Sequence, residues 1–285
     1  MLPVLVSLGP LTIYSYGVFL ALGFLVGLFV VWKKGREAYF DEESLYDTVL
    51  VTALFALVGA RFFYLVTHPA DFGYNVFSWV NLIGRPGFSH LGAIIGGGCG
   101  LWWKTKRSRL DFFAVADALS PGTTIVTIFG WLGAFLNGTA IGVPTTLPWG
   151  ITFPGLLEKR HPAQIYALLL TIGLFTFLWW SESKYRTFNW YRGNKSSARP
   201  GFLTMTYLVG MGLTGLLVSL VTTADQFWFG LPATTWFWGG LTMGGMIGLY
   251  RRSGRRFRDD LQSVTSAVSG HRRRGRRQSR EILTA

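Results

Sequence analysis

Long apolar blocks constrain this chain more than any other feature. They fall at approximately 10–32, 46–67, 91–103, 112–136, 163–181, 201–222 and 232–250. A bilayer core of about 30 Å takes about 20 apolar residues per helix. Inside lipid, backbone amides must be bonded internally, so only helices and closed barrels span. Strand-like alternation is absent, and the expected fold is therefore all-α: a polytopic integral membrane protein with about seven transmembrane helices. The block at 91–103 is short for a full crossing, so it either extends toward Pro86 or stays half-buried.

Basic residues orient these spans. Lys33, Lys34 and Arg36 follow the first, and Lys104, Lys106, Arg107 and Arg109 the third. Lys184, Arg186, Arg192, Lys195 and Arg199 follow the fifth, and Arg251, Arg252, Arg255, Arg256 and Arg258 the seventh. With seven crossings all four clusters share one side, which the positive-inside rule makes cytoplasmic. The N-terminus and the loops 68–90, 137–162 and 223–231 are then outside, and the C-terminus is inside. The first block does not read as a cleaved signal peptide: it has no basic leader, it is long, and no small-residue cleavage site precedes "KKGR".

The chain divides into a membrane domain over 1–250 and a basic tail over 251–285. The tail holds eleven arginines against three acidic residues and supplies most of the net charge of +13. Its low apolar content predicts disorder. Beside a membrane, its expected partner is anionic headgroups rather than nucleic acid. Cys99 stands alone in a Gly-rich apolar run, so no disulfide framework is available.

Polar residues inside spans are costly, and this makes them functional candidates. Arg61 interrupts the second block, Asp117 the fourth, and Tyr16 lies in the first. Each has a plainer alternative: a snorkelling arginine, a capping carboxylate, an interfacial aromatic. The expected outer face adds Arg85, His90, Asn137, Lys159, Arg160, His161 and Gln164. His161 and Gln164 are three apart, which on a helix would put them on one face. Converging cations and hydrogen-bonding groups suit an anionic lipid headgroup. A hydrated outer surface is the rival reading.

Five stretches carry a family resemblance. They are "YSYGVFLALGFLVG" (14–27), "GARFFYLV" (59–66), "ADALSPG" (116–122), "FLNGTAIGVPTTLPWGITFP" (135–154) and "RHPAQIY" (160–166). In order and spacing the chain resembles bacterial prolipoprotein diacylglyceryl transferases over roughly 5–250. The resemblance implies a multi-pass protein of the bacterial plasma (inner) membrane. It also implies a reaction: the diacylglyceryl group of phosphatidylglycerol moves to the lipobox cysteine of a prolipoprotein, and glycerol phosphate leaves. The partners it implies are phosphatidylglycerol or another anionic phospholipid and the prolipoprotein lipobox peptide. It calls for no metal or cofactor. By the same resemblance, His90 and His161 are the candidate bases. Tyr16, Arg61, Arg85, Asn137, Gly138, Gly142, Arg160 and Gln164 are the candidate substrate-binding residues.

The chain departs from the family pattern at a linked set of polar positions. Where the family reads G-R-I-G-N-F-I-N-G, this chain reads Gly130 to Gly138 with Trp131 for the arginine and Ala134 for the first asparagine. Asn137 and Gly142 are kept. Leu91 stands at the histidine of the H-G-G motif, with His90 beside it. Gly215 and Ser219 occupy the arginine and glutamate positions of span six, and Ala167 follows "RHPAQIY" where glutamate is common. Removing one donor to a developing charge costs about 10²–10³ in rate. Two functions therefore stand at this point: a transferase with a rearranged site, or a catalytically impaired relative that binds phospholipid or lipoprotein peptide without turnover. A transporter is disfavoured, since no internal repeat or pair of broken helices is visible.

Overall fold

The computed structural model describes residues 1–8, 11–72, 79–81, 87–185, 199–224 and 227–253. Seven long helices carry the architecture: α1 (Ser15–Glu37), α2 (Glu42–Thr67), α4 (His90–Arg107), α5 (Phe112–Asn137), α6 (Ala163–Tyr185), α7 (Phe202–Ser219) and α8 (Ala233–Arg252). A short α3 (Pro69–Phe72) follows α2. Three two-stranded hairpins complete the described secondary structure: β1 (Val4–Leu8) with β2 (Leu11–Tyr14), β3 (Ile151–Thr152) with β4 (Lys159–Arg160), and β5 (Phe227–Trp228) with β6 (Leu231–Pro232).

Five of the helices, α1, α2, α5, α6 and α7, are long and apolar enough to cross a membrane. The remaining two long helices coincide with the expected third and seventh blocks. At 18 residues, α4 is longer than its apolar run, because the basic turn Lys104–Arg107 continues the helix beyond it. The first block is trimmed instead. Residues 11–14 pair with β1, and α1 begins only at Ser15. Apolar β-branched residues are at home in either state, and a hairpin partner ten residues away decides between them.

Local chemistry sets the helix starts. Asp41, Ser89 and Asp111 accept the backbone N–H of Ser44, Gly92 and Ala114, so α2, α4 and α5 each open on a side-chain cap. Four buried threonine hydroxyls are satisfied within their own helices. Thr48, Thr105, Thr124 and Thr171 each donate to the carbonyl four residues back.

The most extensive packing joins α2 to α4, α1 to α5 and α7 to α8, and α6 bridges α5 and α7. Glycine permits the closest of these approaches. A Cβ on Gly59 would stand 2.6 Å from the carbonyl oxygen of Gly92 and 2.8 Å from the Cα of Gly96. These are backbone atoms of α4 and cannot swing aside. Small residues at such a seam let membrane helices gain dispersion contact. Gly59→Val should therefore force α2 and α4 apart and destabilise by about 1–3 kcal/mol. The check is the thermal midpoint of the detergent-solubilised protein. An unchanged midpoint would mean the seam is loose.

At the end of the bundle that carries the basic clusters, Val31, Leu45, Val49, Leu101, Val115, Ala116 and Leu119 form one buried core. Lys34 is drawn into this end as well. It is 8% exposed, pairs with Glu37 at 2.8 Å and Glu182 at 2.7 Å, and lies 4.2 Å from the Trp179 ring centroid. It thus joins α1 to α6. The tail expected beyond residue 253 lies outside the described residues.

Candidate active site

The segment between α5 and α6 is folded, and it builds one wall of the site. Gly138, with φ +72°, ends α5. Its amide donates to Phe135 O, and that of Thr139 donates to Ala134 O, the paired bonds of a Schellman ending. Val143 N–H donates to Val221 O and His161 N–H to Val143 O, while Thr145 N–H donates to Lys159 O. Gly142 sits where three segments converge. A Cβ there would lie 2.6 Å from His161 Cβ and 2.8 Å from Val221 O. Phe153 of the strap is buried at 1% exposure. Trp149 donates its indole N–H to Tyr166 Oη at 2.9 Å, and the same hydroxyl faces His161 Nδ1 at 3.2 Å.

His161 itself precedes α6, which begins at Ala163. The expected pairing of His161 with Gln164 on one helix face is therefore corrected: backbone bonds from His161 N–H to Val143 O and from Gly142 N–H to His161 O hold the histidine in the strap, ahead of the helix. Gln164 does lie on α6, at 0% exposure. Its Nε2 donates to Thr139 O at 2.5 Å and so ties the strap to the helix. Arg160 donates through Nη1 to Gly142 O at 3.3 Å.

The departures from the family pattern are linked by volume. The Trp131 indole packs on Ala163, Ala167 and Val218, with Val221 beside it. A larger residue at 167, fully buried here, would compete for that space. Gly215 lies against the Trp238 indole so closely that a Cβ would overlap the ring. Ser219 is satisfied by Leu216 O at 2.8 Å and Thr235 Oγ1 at 3.0 Å. The His90 ring stands between the two indoles, its centroid 6.4 Å from Trp131 and 5.5 Å from Trp238. His90 thus lies among aromatic rings. Trp149 and Tyr166 lie within the stretches that carry the resemblance but are not among the candidate site residues, and neither are Thr235 and Trp238.

Three buried polar atoms in this region have no hydrogen-bond partner among the described residues: Trp131 Nε1, Arg160 Nε and Gln164 Oε1. Two are donors and one is an acceptor. A buried polar atom left bare costs about 1–3 kcal/mol, so the arrangement is suited to a polar ligand.

The other candidates are placed as follows. Arg61, at 9% exposure, donates from Nε to Trp79 O and from Nη1 to Gly87 O, both at 2.9 Å, with Phe72 4.9 Å from the guanidinium. It fastens the segment after α2. The Tyr16 backbone packs against Gly133, and its side chain is exposed. Asn137 is half-buried in the last turn of α5. Arg85 lies outside the described residues. Asp117 caps α7 from α5, accepting from Gly201 N, Thr204 N and Thr204 Oγ1.

Long apolar helices closed at one end by a hydrogen-bonded strap define a polytopic membrane protein. A family model described as prolipoprotein diacylglyceryl transferase matches residues 3–251, and the chain belongs to that family. It is similar to the phosphatidylglycerol–prolipoprotein diacylglyceryl transferase of Bordetella avium, with 30% identity over 254 residues, 87% of this chain and 89% of that protein. The corresponding enzyme of Bordetella bronchiseptica is 32% identical over 253 residues, covering 85% and 88%. That of Ectopseudomonas mendocina is 32% identical over 256 residues, covering 86% and 88%.

Proposed function

We propose that this protein is a diacylglyceryl transferase of the bacterial inner membrane, moving the diacylglyceryl group of phosphatidylglycerol to a lipobox cysteine. Family membership across nearly the whole chain supports the reaction class. The single observation that carries the site is the set of unpartnered atoms on Trp131, Arg160 and Gln164. A phosphate alone can only accept, and it would leave Gln164 Oε1 bare. A hydroxyl donates and accepts, so a glycerol headgroup can meet both kinds of atom. Phosphatidylglycerol brings hydroxyls and an anionic phosphate together.

In the reaction the cysteine sulfur bonds to the glyceryl carbon, and that carbon's bond to the phosphate oxygen breaks. The thiol proton goes to a base and the negative charge to the departing glycerol phosphate. His161 serves as base when its Nδ1 carries the proton and donates to Tyr166 Oη, whose other lone pair takes Trp149; Nε2 is then bare. His90, among indoles, is the alternative base. Asn137, Gly138 and Gly142 shape the headgroup end, and Tyr16 and Arg85 complete the proposed binding set. Arg61 belongs to it as a positioning residue. All seven long helices cross the bilayer in this reading, with the strap outside and the basic ends in the cytoplasm.

The test is transfer by the purified protein in phosphatidylglycerol vesicles to a fluorescent lipobox peptide, read as a gel shift with release of glycerol phosphate. Transfer is expected. Gln164→Leu should lower it about tenfold, the weight of one hydrogen bond to substrate. His90→Ala and His161→Ala identify the base. Absence of transfer by folded protein, with lipid binding retained, would replace this reading by that of a binding relative.

A further inference from the structure

We infer that the β5–β6 hairpin is an interfacial anchor, seated at the headgroup level of a phospholipid bilayer and holding α8 at its depth. The hairpin is aromatic and bare. Phe227, Trp228 and Phe229 are 63%, 56% and 96% exposed, and Leu231 is exposed as well. Phe227 pairs with Pro232 and Trp228 with Leu231, which leaves a two-residue turn at Phe229 and Gly230. Both turn residues have positive φ, +49° and +80°. Asn or Gly fits the first position with less strain than an aromatic residue. The fold instead presents a large apolar ring at the outermost point.

The hairpin is braced against the first turn of α8. Trp236 donates its indole N–H to Trp228 O at 3.0 Å, and its ring meets Phe229 edge-on with centroids 6.0 Å apart. Trp236 also begins an exposed stripe. Met243 and Ile247 follow at i+7 and i+11, on the same helix face, and both are exposed. The sequence from Phe227 to Tyr250 carries no charged residue, and Arg251 and Arg252 close the far end of α8. The hairpin is thus continuous with a helix face that only lipid would cover.

Two requirements choose the occupant. Apolar rings of this size avoid water. A two-stranded ribbon, however, leaves edge amides and carbonyls unpaired, and the hydrocarbon core cannot satisfy them. The headgroup zone meets both requirements, and Trp-rich segments concentrate there. The anchor also bears on the neighbouring helix, because Trp238, two residues past Trp236, packs against Gly215. Fixing the depth of α8 fixes that contact.

The experiment uses the full chain in Cys99→Ser background, reconstituted in phosphatidylglycerol-containing nanodiscs. Phe229→Cys, Trp228→Cys and, for comparison, Glu158→Cys are each labelled with an environment-sensitive fluorophore, and monodisperse gel filtration confirms folding. Labels at 228 and 229 should emit at shorter wavelength than the label at 158. Shallow spin-labelled phospholipid should quench them strongly and aqueous iodide weakly. Water-like emission quenched by iodide at 228 and 229 would overturn the anchor. So would stronger quenching by deep spin labels than by shallow ones, and so would a blue shift that persists in detergent only with an added protein partner.

Discussion

Asp117→Ala should destabilise the protein by about 3 kcal/mol, read as a lower thermal midpoint and poor recovery from detergent. Asp117 is 6% exposed on α5, yet its carboxylate serves α7. It accepts from Gly201 N at 2.6 Å, Thr204 N at 2.8 Å and Thr204 Oγ1 at 2.6 Å. α7 begins after Gly201, at φ +107°, and has no cap of its own. The carboxylate therefore satisfies orphan amides at a positive helix end. Hydrogen bonds to a charged group contribute about 1.5–3 kcal/mol each, and they share one carboxylate here. Arg252 strengthens the joint from α8: its Nε donates to Pro200 O at 2.5 Å, and its guanidinium lies 3.6 Å from the Phe113 centroid. Asp117→Asn keeps one acceptor and should lose roughly half as much. Equal stability of wild type and Asp117→Ala would remove Asp117 from the framework and return it to the candidates for chemistry.

The same residue shows what a one-dimensional reading can and cannot reach. Asp117 stands out in an apolar block, and a capping role was one of its two readings. Its partners lie 84 and 87 residues away, and no periodicity reports that distance. The helices themselves were legible because lipid imposes one rule on every span. Even so, β1–β2 took the first residues of the first block, and α4 ran past its apolar run. In the site, Trp131, Ala167, Gly215 and Ser219 were visible as departures from the family pattern. Their compensation was not. That Ala167 makes room for Trp131, and Gly215 for Trp238, is a statement about neighbours on different helices. Residues that read in sequence as separate departures are neighbours here, packed among aromatic rings. His161 shows the converse: its spacing from Gln164 suggests a shared face, and backbone pairing with Gly142 and Val143 holds it in the strap instead.

Arg61→Ala should be at least as damaging as Asp117→Ala, again by about 3 kcal/mol or more, and for a different reason. A charge inside an apolar helix needs partners, and here they are backbone carbonyls. Nε and Nη1 hold Trp79 O and Gly87 O at 2.9 Å each, while Phe72 and Phe88 lie 4.9 and 6.0 Å from the guanidinium. The arginine fork grips two points of one segment, and Ser89 N–H, donating to Ala60 O at 2.9 Å, closes the same joint from the adjacent residue of α2. Beyond that joint Ser89 caps α4, whose first residue is His90. Alanine at 61 would leave two carbonyls bare, each costing about 1–3 kcal/mol, and would forfeit the aromatic contacts, about 0.5–2 kcal/mol. Lysine keeps the charge but presents a point rather than a fork, so Arg61→Lys should recover only part of the loss. Two readouts separate positioning from direct lipid contact. If Arg61 positions the segment, Arg61→Ala lowers the thermal midpoint without added lipid and speeds proteolysis between 68 and 89. A normal midpoint and normal proteolysis, with phosphatidylglycerol binding alone weakened, would instead make Arg61 a ligand of the headgroup.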